Sequence, residues 1–363
     1  MTSLEAGCAV RDALLRAVPG SEASVLPLAD GGEGTVDAMA AGLGGEMVEA
    51  EVTGPLGERV TAKYCIVHGS TAVIEMAQAA GLPLVPPEMR DPMFTTTYGV
   101  GELILHAIRR GCRSFIVGIG GSATNDGGVG MLSALGFEFL DKNNGIIARG
   151  AYGLDALSSI SAENAIPELG ECTFRVACDV DNPLCGARGC SAVYGPQKGA
   201  TPEAVGIMDA WLGRYAEIAK VTFPNADPEY PGAGAAGGLG FAFMTFLDAT
   251  LESGISIILS ETGLEERIKD ADLVVTGEGR IDFQTAMGKA PIGVARLAKK
   301  HGKKVIAFAG CVTEDAEECN EHGIDAFFPI LRGIVTLEEA LDRENACKNL
   351  TATAYQVFRL MSL

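Results

Sequence analysis

The stretch SFIVGIGGSATNDGGVGMLSAL, residues 114–135, decides the fold class. Its first part, 114–119, is a short apolar run of the kind that forms a strand buried on both faces. A glycine-rich polar loop follows at 120–128, and apolar residues return at helical spacing from Val129. The loop therefore joins the carboxyl end of a strand to the start of a helix, where open α/β sheets bind their ligands.

The composition of this loop predicts an anion site. Glycines lack a Cβ atom, so backbone amides can approach a ligand closely, and amides at a helix start favour anions. The predicted phosphate cradle comprises Gly120, Gly121, Ser122, Thr124, Asn125, Gly127 and Gly128. Asp126 suits a phosphate carried with Mg²⁺ better than a bare phosphate, so it is a candidate metal ligand. A tight turn with an Asn or Asp cap explains the same loop without a ligand.

Overall composition narrows the class of protein. A chain of 363 residues suggests two or three domains. A net charge of −19 opposes binding to nucleic acid or to an anionic membrane. There is no apolar run near the roughly 20 residues of a membrane span and no signal-like amino terminus. Together with ten scattered cysteines and no CxxC pair, this predicts a cytoplasmic protein with reduced thiols.

Local patterns predict the remaining elements. Residues 47–74 have the β-strand pattern, interrupted by two turns, that predicts an antiparallel hairpin followed by a third strand. Further strands are predicted at 25–29, 174–178, 255–259, 272–276, 304–308 and 326–330, and helices at 6–18, 204–220, 241–251, 292–300 and 337–361. The Gly, Ala and Pro-rich stretch 224–240, taken alone, is typical of a flexible linker.

Acidic side chains recur in the loops that follow predicted strands. Asp30, Asp126, Asp179, Glu278 and Asp282 all occupy such positions, so they could converge on one cleft. Oxygen ligands of this kind suit Mg²⁺ with phosphate. The basic residues Lys198, Arg280 and Lys289 are predicted in similar loops and could hold an anionic substrate. Any one of these charges could instead be a solvated surface group, and the argument rests on the set.

Of two nucleotide-binding motifs, the P-loop is absent from the sequence and the dinucleotide pattern is present. The P-loop pattern GxxxxGK[ST] is absent from the sequence. Gly118, Gly120 and Ala123 match the dinucleotide pattern GxGxxA, with Asp141 about twenty residues later. Asp126 opposes that interpretation because it would lie near the pyrophosphate. An NAD-dependent hydroxy-acid dehydrogenase is therefore an alternative, carried by this pattern alone.

Six blocks of sequence carry a resemblance to a known family. They are PLADGGEGT from Pro27, GIGGSATNDGGVGMLSALG from Gly118, CDVDNPLCG from Cys178, GPQKGA from Gly195, GAGAAGGLG from Gly232 and DLVVTGEGRIDFQTAMGKAPIGVA from Asp272. Together they resemble the bacterial glycerate kinase family, type 1. The resemblance implies ATP-dependent phosphorylation of D-glycerate with Mg²⁺. It favours 2-phosphoglycerate as the product, while the sequence itself leaves 3-phosphoglycerate open.

The resemblance also implies a domain organisation. A flavodoxin-like, Rossmann-type domain with a parallel sheet would comprise 1–45 and 262–363. An inserted mixed α/β domain, likened to restriction-enzyme folds, would comprise 46–261, with the active-site cleft between the two. Family members usually begin with a strand and a DSFKG-type loop, and this sequence starts just after that point. We therefore expect the chain as given to fold less stably and to be weakly active or inactive.

Roles follow as hypotheses. Asp126, Asp179 and Glu278 are assigned to metal and phosphates. Arg280, Lys198 and Lys289 are assigned to the glycerate carboxylate or the phosphoryl group, and Asp30 or Asp282 to the general base. A non-catalytic ligand-binding protein derived from a kinase is a further alternative. The oligomeric state is open, with a homodimer as one option.

Overall fold

The computed structural model describes residues 1–28 and 34–363, and its chain divides into two compact units. The terminal unit comprises Met1–Asp30 and Ile258–Leu363, and the central unit comprises Gly31–Ile257. Both contain helices and a sheet, which confirms the mixed α/β class. The domain bounds at 45/46 and 261/262, the flavodoxin-like and restriction-enzyme-like assignments and the cleft stay predictions.

The described residues form eleven strands and fifteen α-helices. The strands are β1 Glu46–Thr53, β2 Arg59–Val67, β3 Thr71–Glu75, β4 Ser114–Gly118, β5 Glu138–Leu140, β6 Ser159–Ser161, β7 Thr173–Ala177, β8 Thr250–Glu252, β9 Leu273–Ile281, β10 Lys304–Val312 and β11 Ala326–Pro329. The helices are α1 Ser3–Ala17, α2 Thr35–Leu43, α3 Ala77–Ala80, α4 Tyr98–Arg109, α5 Val129–Ala134, α6 Cys190–Tyr194, α7 Pro202–Thr222, α8 Ala235–Leu247, α9 Gly254–Glu261, α10 Leu264–Asp270, α11 Phe283–Ala286, α12 Ala290–Lys300, α13 Glu318–Glu321, α14 Leu337–Leu341 and α15 Arg343–Met361.

The central unit is built on a six-stranded sheet of order β1-β2-β3-β4-β7-β8. The first three strands pair antiparallel, which confirms the predicted hairpin and third strand. From β3 onward the pairing is parallel. Phe115 of β4 stacks on Phe174 of β7, with ring centroids 4.8 Å apart. This pair packs one face of β4, and Phe115, Ile116, Val117 and Gly118 are all buried, so both faces of the strand are covered up to the point where its loop begins.

The terminal unit has a three-stranded parallel sheet of order β11-β10-β9. Helix α1 starts with a capping box between Thr2 and Glu5 and packs on α15. Phe308 of β10 and Phe358 of α15 lie in the shared core with Ala13. None of the helices in the described part of the chain is long and apolar enough to cross a bilayer.

Two predicted strands are wrong. Residues 25–28 form no strand: Pro27 has no amide hydrogen to donate, and the amide of Leu28 donates to Ser3 Oγ at 3.0 Å. Residues 255–259 lie within the helix α9, because a short apolar run does not distinguish a buried helix from a strand.

Two predicted boundaries also change. The strand predicted at 272–276 continues as β9 to Ile281, so Glu278 and Arg280 lie on a strand and not in a loop. Its parallel ladder with β10 pairs Ala309 with Glu278 and Cys311 with Arg280. The helix predicted at 337–361 is two helices, since the backbone leaves helical geometry at Asp342, which caps α15.

Candidate functional site

The loop after β4 is buried at its polar residues. Ser122 is 8% exposed, and Thr124, Asn125 and Asp126 are fully buried. Buried polar groups require partners, because losing water without replacing its hydrogen bonds is costly. The partners of this loop come from distant segments of the central unit.

Asp126 holds the loop in place. Its carboxylate accepts hydrogen bonds from the amide and hydroxyl of Thr97, each at 2.9 Å, and from the amides of Gly128 and Gly130, each at 3.2 Å. Burial raises the pKa of Asp126, while these hydrogen bonds oppose the rise. Because its acceptor sites face protein donors, this geometry favours an anchoring role over the predicted metal role. The amide of Gly128 is likewise occupied.

Lys198 reaches the same loop from another direction. Only 2% of this residue is exposed, and its Nζ donates to Ser122 Oγ at 2.8 Å and to the carbonyl oxygen of Thr124 at 2.6 Å. Burial lowers its pKa to about 8, while the charges of Cys190 and Asp126 oppose that change. The lysine therefore contacts the loop itself.

A left-handed turn at residues 236–238 packs against the loop. Ala236, Gly237 and Gly238 have φ values of 53°, 69° and 90°. The amide of Gly127 donates to the carbonyl oxygen of Gly237 at 2.9 Å. A Cβ atom on Gly237 would lie 2.1 Å from the carbonyl oxygen of Thr124, so only glycine fits there. The stretch predicted as a linker is instead part of the core in this region.

Two acceptors of the loop remain without a partner in the described part of the chain. They are Thr124 Oγ1 and Asn125 Oδ1, both buried. The amide group of Asn125 donates to Ser191 Oγ at 2.8 Å, which fixes the orientation of its side chain. Unpaired buried polar atoms in an otherwise satisfied loop are where a ligand or an ordered water gains hydrogen bonds.

The segment 277–289 of the terminal unit is more open. Thr285 donates its hydroxyl to Glu278, and Asp282 caps α11 by accepting from Gln284 N at 3.0 Å and Thr285 N at 3.4 Å. Arg280, whose side chain is 62% exposed, pairs with Asp282 at 3.3 Å. The structure thus brings together three of the predicted site residues, two carboxylates and a guanidinium. Lys289 lies at the cap of α12, half-buried.

In the part of the chain that the structure describes, the remaining predicted residues are not grouped as a metal centre. Asp179 is exposed after β7, and its carboxylate accepts from the amide of Gly254 at 3.1 Å, at the start of α9. Within 1–28 and 34–363, no three His, Cys, Asp or Glu side chains are grouped to hold a metal. Asp126 and Asp179 belong to the central unit and Glu278 to the terminal unit. Asp30 lies outside the described residues.

Glu75 and Thr95 are functional candidates that the sequence reasoning did not assign. Glu75 ends β3, is 4% exposed and accepts from the amide of Val36 at 2.8 Å, at the start of α2. Burial raises its pKa. Its signal was a single acidic residue ending the apolar strand TAVIE. Thr95 donates its hydroxyl to the carbonyl oxygen of Ala123 at 2.9 Å, so the hydroxyl-rich segment TTTYG clamps the loop.

Comparison with known proteins identifies the family. The model of the Glycerate kinase family matches residues 1–362. The chain belongs to the glycerate kinase family. It is 48% identical to a glycerate kinase of Haemophilus influenzae, covering 100% of this chain and 96% of that protein. It is also 48% identical to the glycerate 2-kinase of Escherichia coli, covering 97% and 94% of the two chains.

A solved structure agrees with the fold. A Salmonella typhimurium LT2 protein assigned as glycerate kinase 2 superposes with a TM-score of 0.91 at 47% identity, over 99% of this chain and 94% of that one. Family membership makes the chain a phosphotransferase enzyme. It also replaces the dehydrogenase interpretation, which rested on Gly118, Gly120 and Ala123. In the structure the amide of Ala123, the last residue of that pattern, donates to the carbonyl oxygen of Ala80 at 2.9 Å and is therefore already paired within the protein.

Proposed function

We propose that this member of the family transfers the γ-phosphoryl group of ATP to the 2-hydroxyl of D-glycerate, giving 2-phosphoglycerate. The assignment to the 2-hydroxyl is supported by the 48% identity, over 97% of this chain, to a protein named glycerate 2-kinase. Transfer to the 3-hydroxyl is the alternative that the experiment below separates from it.

In phosphoryl transfer a protein acts mainly by positioning the reactants and by stabilising negative charge on the phosphoryl group. We assign the nucleotide phosphates to the loop at 120–125, which carries Gly120, Gly121, Ser122, Thr124 and Asn125. Its buried anchors support this assignment, because they set the backbone before any ligand binds. Gly127 and Gly128 have a supporting role, since their amides already donate to Gly237 and Asp126.

The open segment of the terminal unit supplies the groups assigned to glycerate. Arg280 is exposed and always charged, so it suits the glycerate carboxylate, with Lys289 as a second cation. Of the two candidates for the general base, Asp282 lies within the described residues. Its Oδ1 caps α11, while its Oδ2 faces Arg280, in the segment assigned to glycerate. Asp30 stays the other candidate. The base would accept the hydroxyl proton as the phosphoryl group transfers.

Mg²⁺ is proposed to enter with ATP. Such an ion keeps several waters and needs one or two protein carboxylates besides the phosphates, so a preformed three-ligand site is not required. Glu278 and Asp179 fit, because both are at least partly exposed. Asp126 fits poorly, because its oxygens accept from buried protein donors. When bound, the ion neutralises charge on the phosphate oxygens. A cytoplasmic location and a homodimer remain predictions.

Phosphorus NMR of the protein incubated with Mg-ATP and D-glycerate tests the proposal. The 2-phosphate couples to the single proton on C2, whereas the 3-phosphate couples to the two protons on C3. We expect a new phosphomonoester signal split by one proton. Splitting by two protons would assign the 3-position. Absence of a new signal from folded protein, both as given and with an upstream strand and DSFKG-type loop added, and with an active family member as control, would contradict the proposed reaction.

A further inference from the structure

Lys198 is the one lysine of the predicted site that the structure buries, and its surroundings suggest a different task from binding an anion. The residue ends the short 3-10 helix Pro196–Lys198. Its side chain is enclosed within the central unit, whereas an anion-binding cation needs its charged group open to the ligand. This contrast with the exposed Arg280 is the starting observation.

The hydrogen bonds of Lys198 are directed at the loop and leave little for a substrate. An ammonium group has three N–H donors. Two of them are used by Ser122 Oγ at 2.8 Å and the carbonyl oxygen of Thr124 at 2.6 Å. The two acceptors lie two residues apart in the loop assigned to the ATP phosphates. One side chain therefore fixes both the hydroxyl of Ser122 and the peptide after Thr124.

The turn that carries Lys198 packs closely against neighbouring backbone. Gly199 has a φ of 99°, and a Cβ atom there would lie 2.1 Å from the carbonyl oxygen of Arg90. A Cβ atom on Gly195 would lie 2.3 Å from the carbonyl oxygen of Ser191. The backbone at both glycines thus lies so close to other backbone that a side chain would not fit. The lysine therefore extends from a turn whose packing is complete without a ligand.

The charge of Lys198 is compensated within the protein. The negative group that acts on it is the buried carboxylate of Asp126. Burial raises the pKa of the Cys190 thiol of α6 to about 11, so that thiol is neutral where Lys198 is charged. Asp126 holds the far side of the same loop through Thr97, Gly128 and Gly130. The loop therefore lies between a buried cation and a buried anion, each of which binds its backbone.

We propose that Lys198 is a positioning residue, which ties the turn at 196–198 to the loop at 122–124 and acts on phosphoryl transfer through that loop without touching either substrate. The inference rests on the proposed function for its kinetic consequence, but the tie itself is a property of the ligand-free protein. A positioning role and a substrate-binding role therefore predict different behaviour before any substrate is added.

Hydrogen exchange of the ligand-free protein is the first test. We expect amides of peptides covering 119–128 to exchange roughly tenfold faster in Lys198→Met than in the wild type, because the loop opens locally once its tie is lost. Lys220→Met is the matched control, since Lys220 is an exposed lysine near the end of α7; it should leave the loop unchanged. Unchanged exchange in Lys198→Met would overturn the proposal.

Kinetics of four proteins give the second test: wild type, Lys198→Met, Ser122→Ala and the double variant. We expect kcat to fall roughly 10- to 100-fold in Lys198→Met, with KM for glycerate and ATP within about threefold. The double variant should match Lys198→Met, because both changes break the same tie. A tenfold rise in KM at unchanged kcat, or additive effects, would assign Lys198 to substrate binding instead.

Two outcomes need separate treatment. If Lys198→Met does not fold, Ser122→Ala decides by the exchange criterion alone, because it removes one bond of the tie and leaves the lysine in place, while its kinetics would also report the phosphate contact assigned to Ser122. If neither the wild type nor a version with an upstream strand and DSFKG-type loop added shows turnover, the proposed function fails, and the exchange result alone decides on Lys198. Faster loop exchange then supports the tie, and unchanged exchange contradicts it.

Discussion

The loop at 119–128 buries its acidic side chain and ties it to distant segments, whereas the segment at 277–289 keeps its acidic side chains partly open and pairs them locally. Asp126 receives its hydrogen bonds from Thr97 and from glycines at the start of α5. Asp282 pairs with Arg280, only two residues away. The first arrangement fixes a backbone, and the second leaves charged groups available. We infer that the loop contributes a fixed backbone, whereas the segment at 277–289 contributes charged side chains to the chemistry.

The largest expected effect comes from making the same substitution, Asp to Asn, once in each region and comparing the loss of stability. Asp126→Asn should lower the free energy of unfolding by roughly 3–5 kcal/mol, because an NH₂ group would face buried N–H donors in place of an acceptor. Asp282→Asn should change it by less than about 0.5 kcal/mol, since Asn caps helices as well as Asp does. Urea unfolding measures both values.

The same pair sharpens the comparison when turnover is measured. Asp282→Asn should lower kcat by roughly 100-fold, which is at the lower end of the effect of losing a general base. A stability loss in Asp282→Asn equal to that in Asp126→Asn would contradict the division of roles. Near wild-type turnover in Asp282→Asn would remove Asp282 as the base and leave Asp30.

A pH series on Lys198 should give an effect almost as large. Its pKa is lowered to about 8 in the folded protein, from 10.5 as the ordinary value. Below pH 8 the Lys198 side chain is charged in both the folded and the unfolded protein, so the full cost of burying that charge lowers the stability of the folded protein. As pH rises from 8 to 10.5 the folded state releases its proton first, so wild type gains stability relative to Lys198→Met, by up to roughly 3 kcal/mol. Urea unfolding of both proteins across this range measures the difference, and a constant difference would contradict the shift.

Two glycine substitutions give a smaller contrast. Gly237→Ala should cost about 2 kcal/mol, since a left-handed φ and a carbonyl oxygen 2.1 Å from the new Cβ both oppose it. Gly279→Ala should cost less than about 0.5 kcal/mol, because nothing lies within 4 Å of the new atom. Thermal unfolding of the two variants checks this. Equal losses would show that the segment 277–289 is as constrained as the loop.

The smallest effect is a gain. Ala236 adopts a φ of 53°, a left-handed geometry that is unfavourable for a residue with a Cβ atom. Ala236→Gly should therefore stabilise the protein by up to about 1 kcal/mol, less the extra entropy of a glycine in the unfolded chain. A raised melting temperature with unchanged KM would support this account, and a lowered one would show that the methyl group of Ala236 is needed in the core.

Local patterns in the sequence were enough to predict the first half of the central sheet. The alternation at 47–74 and the apolar run before Gly118 depend on neighbouring residues only, and both strands and turns appear where expected. The burial of Asp126 was not predictable, because its partner Thr97 lies 29 residues earlier in the chain. Lys198 lies 76 residues from Ser122. Contacts at such separations leave no local signal.

The end of β9 shows a second kind of failure. Glycines at 277 and 279 among charged residues are typical of a loop, so the strand was predicted to stop at Thr276. In the structure a Cβ atom on Gly277 would lie 2.3 Å from the carbonyl oxygen of Phe308, and one on Gly310 would lie 2.5 Å from that of Gly279. The glycines permit two backbones to approach closely within the sheet. The pairing with β10 thus overrides the local preference.

Because Glu278 and Arg280 lie two positions apart on β9, strand geometry places them on one face, with Cα atoms about 6.6 Å apart. Inserting one residue before Gly277 would turn both side chains to the opposite face, and inserting two would restore them. Families tolerate length changes in loops far more readily than in paired strands. The count of residues in β9 is therefore a stricter limit on sequence divergence in this family than a loop at 277–281 would impose.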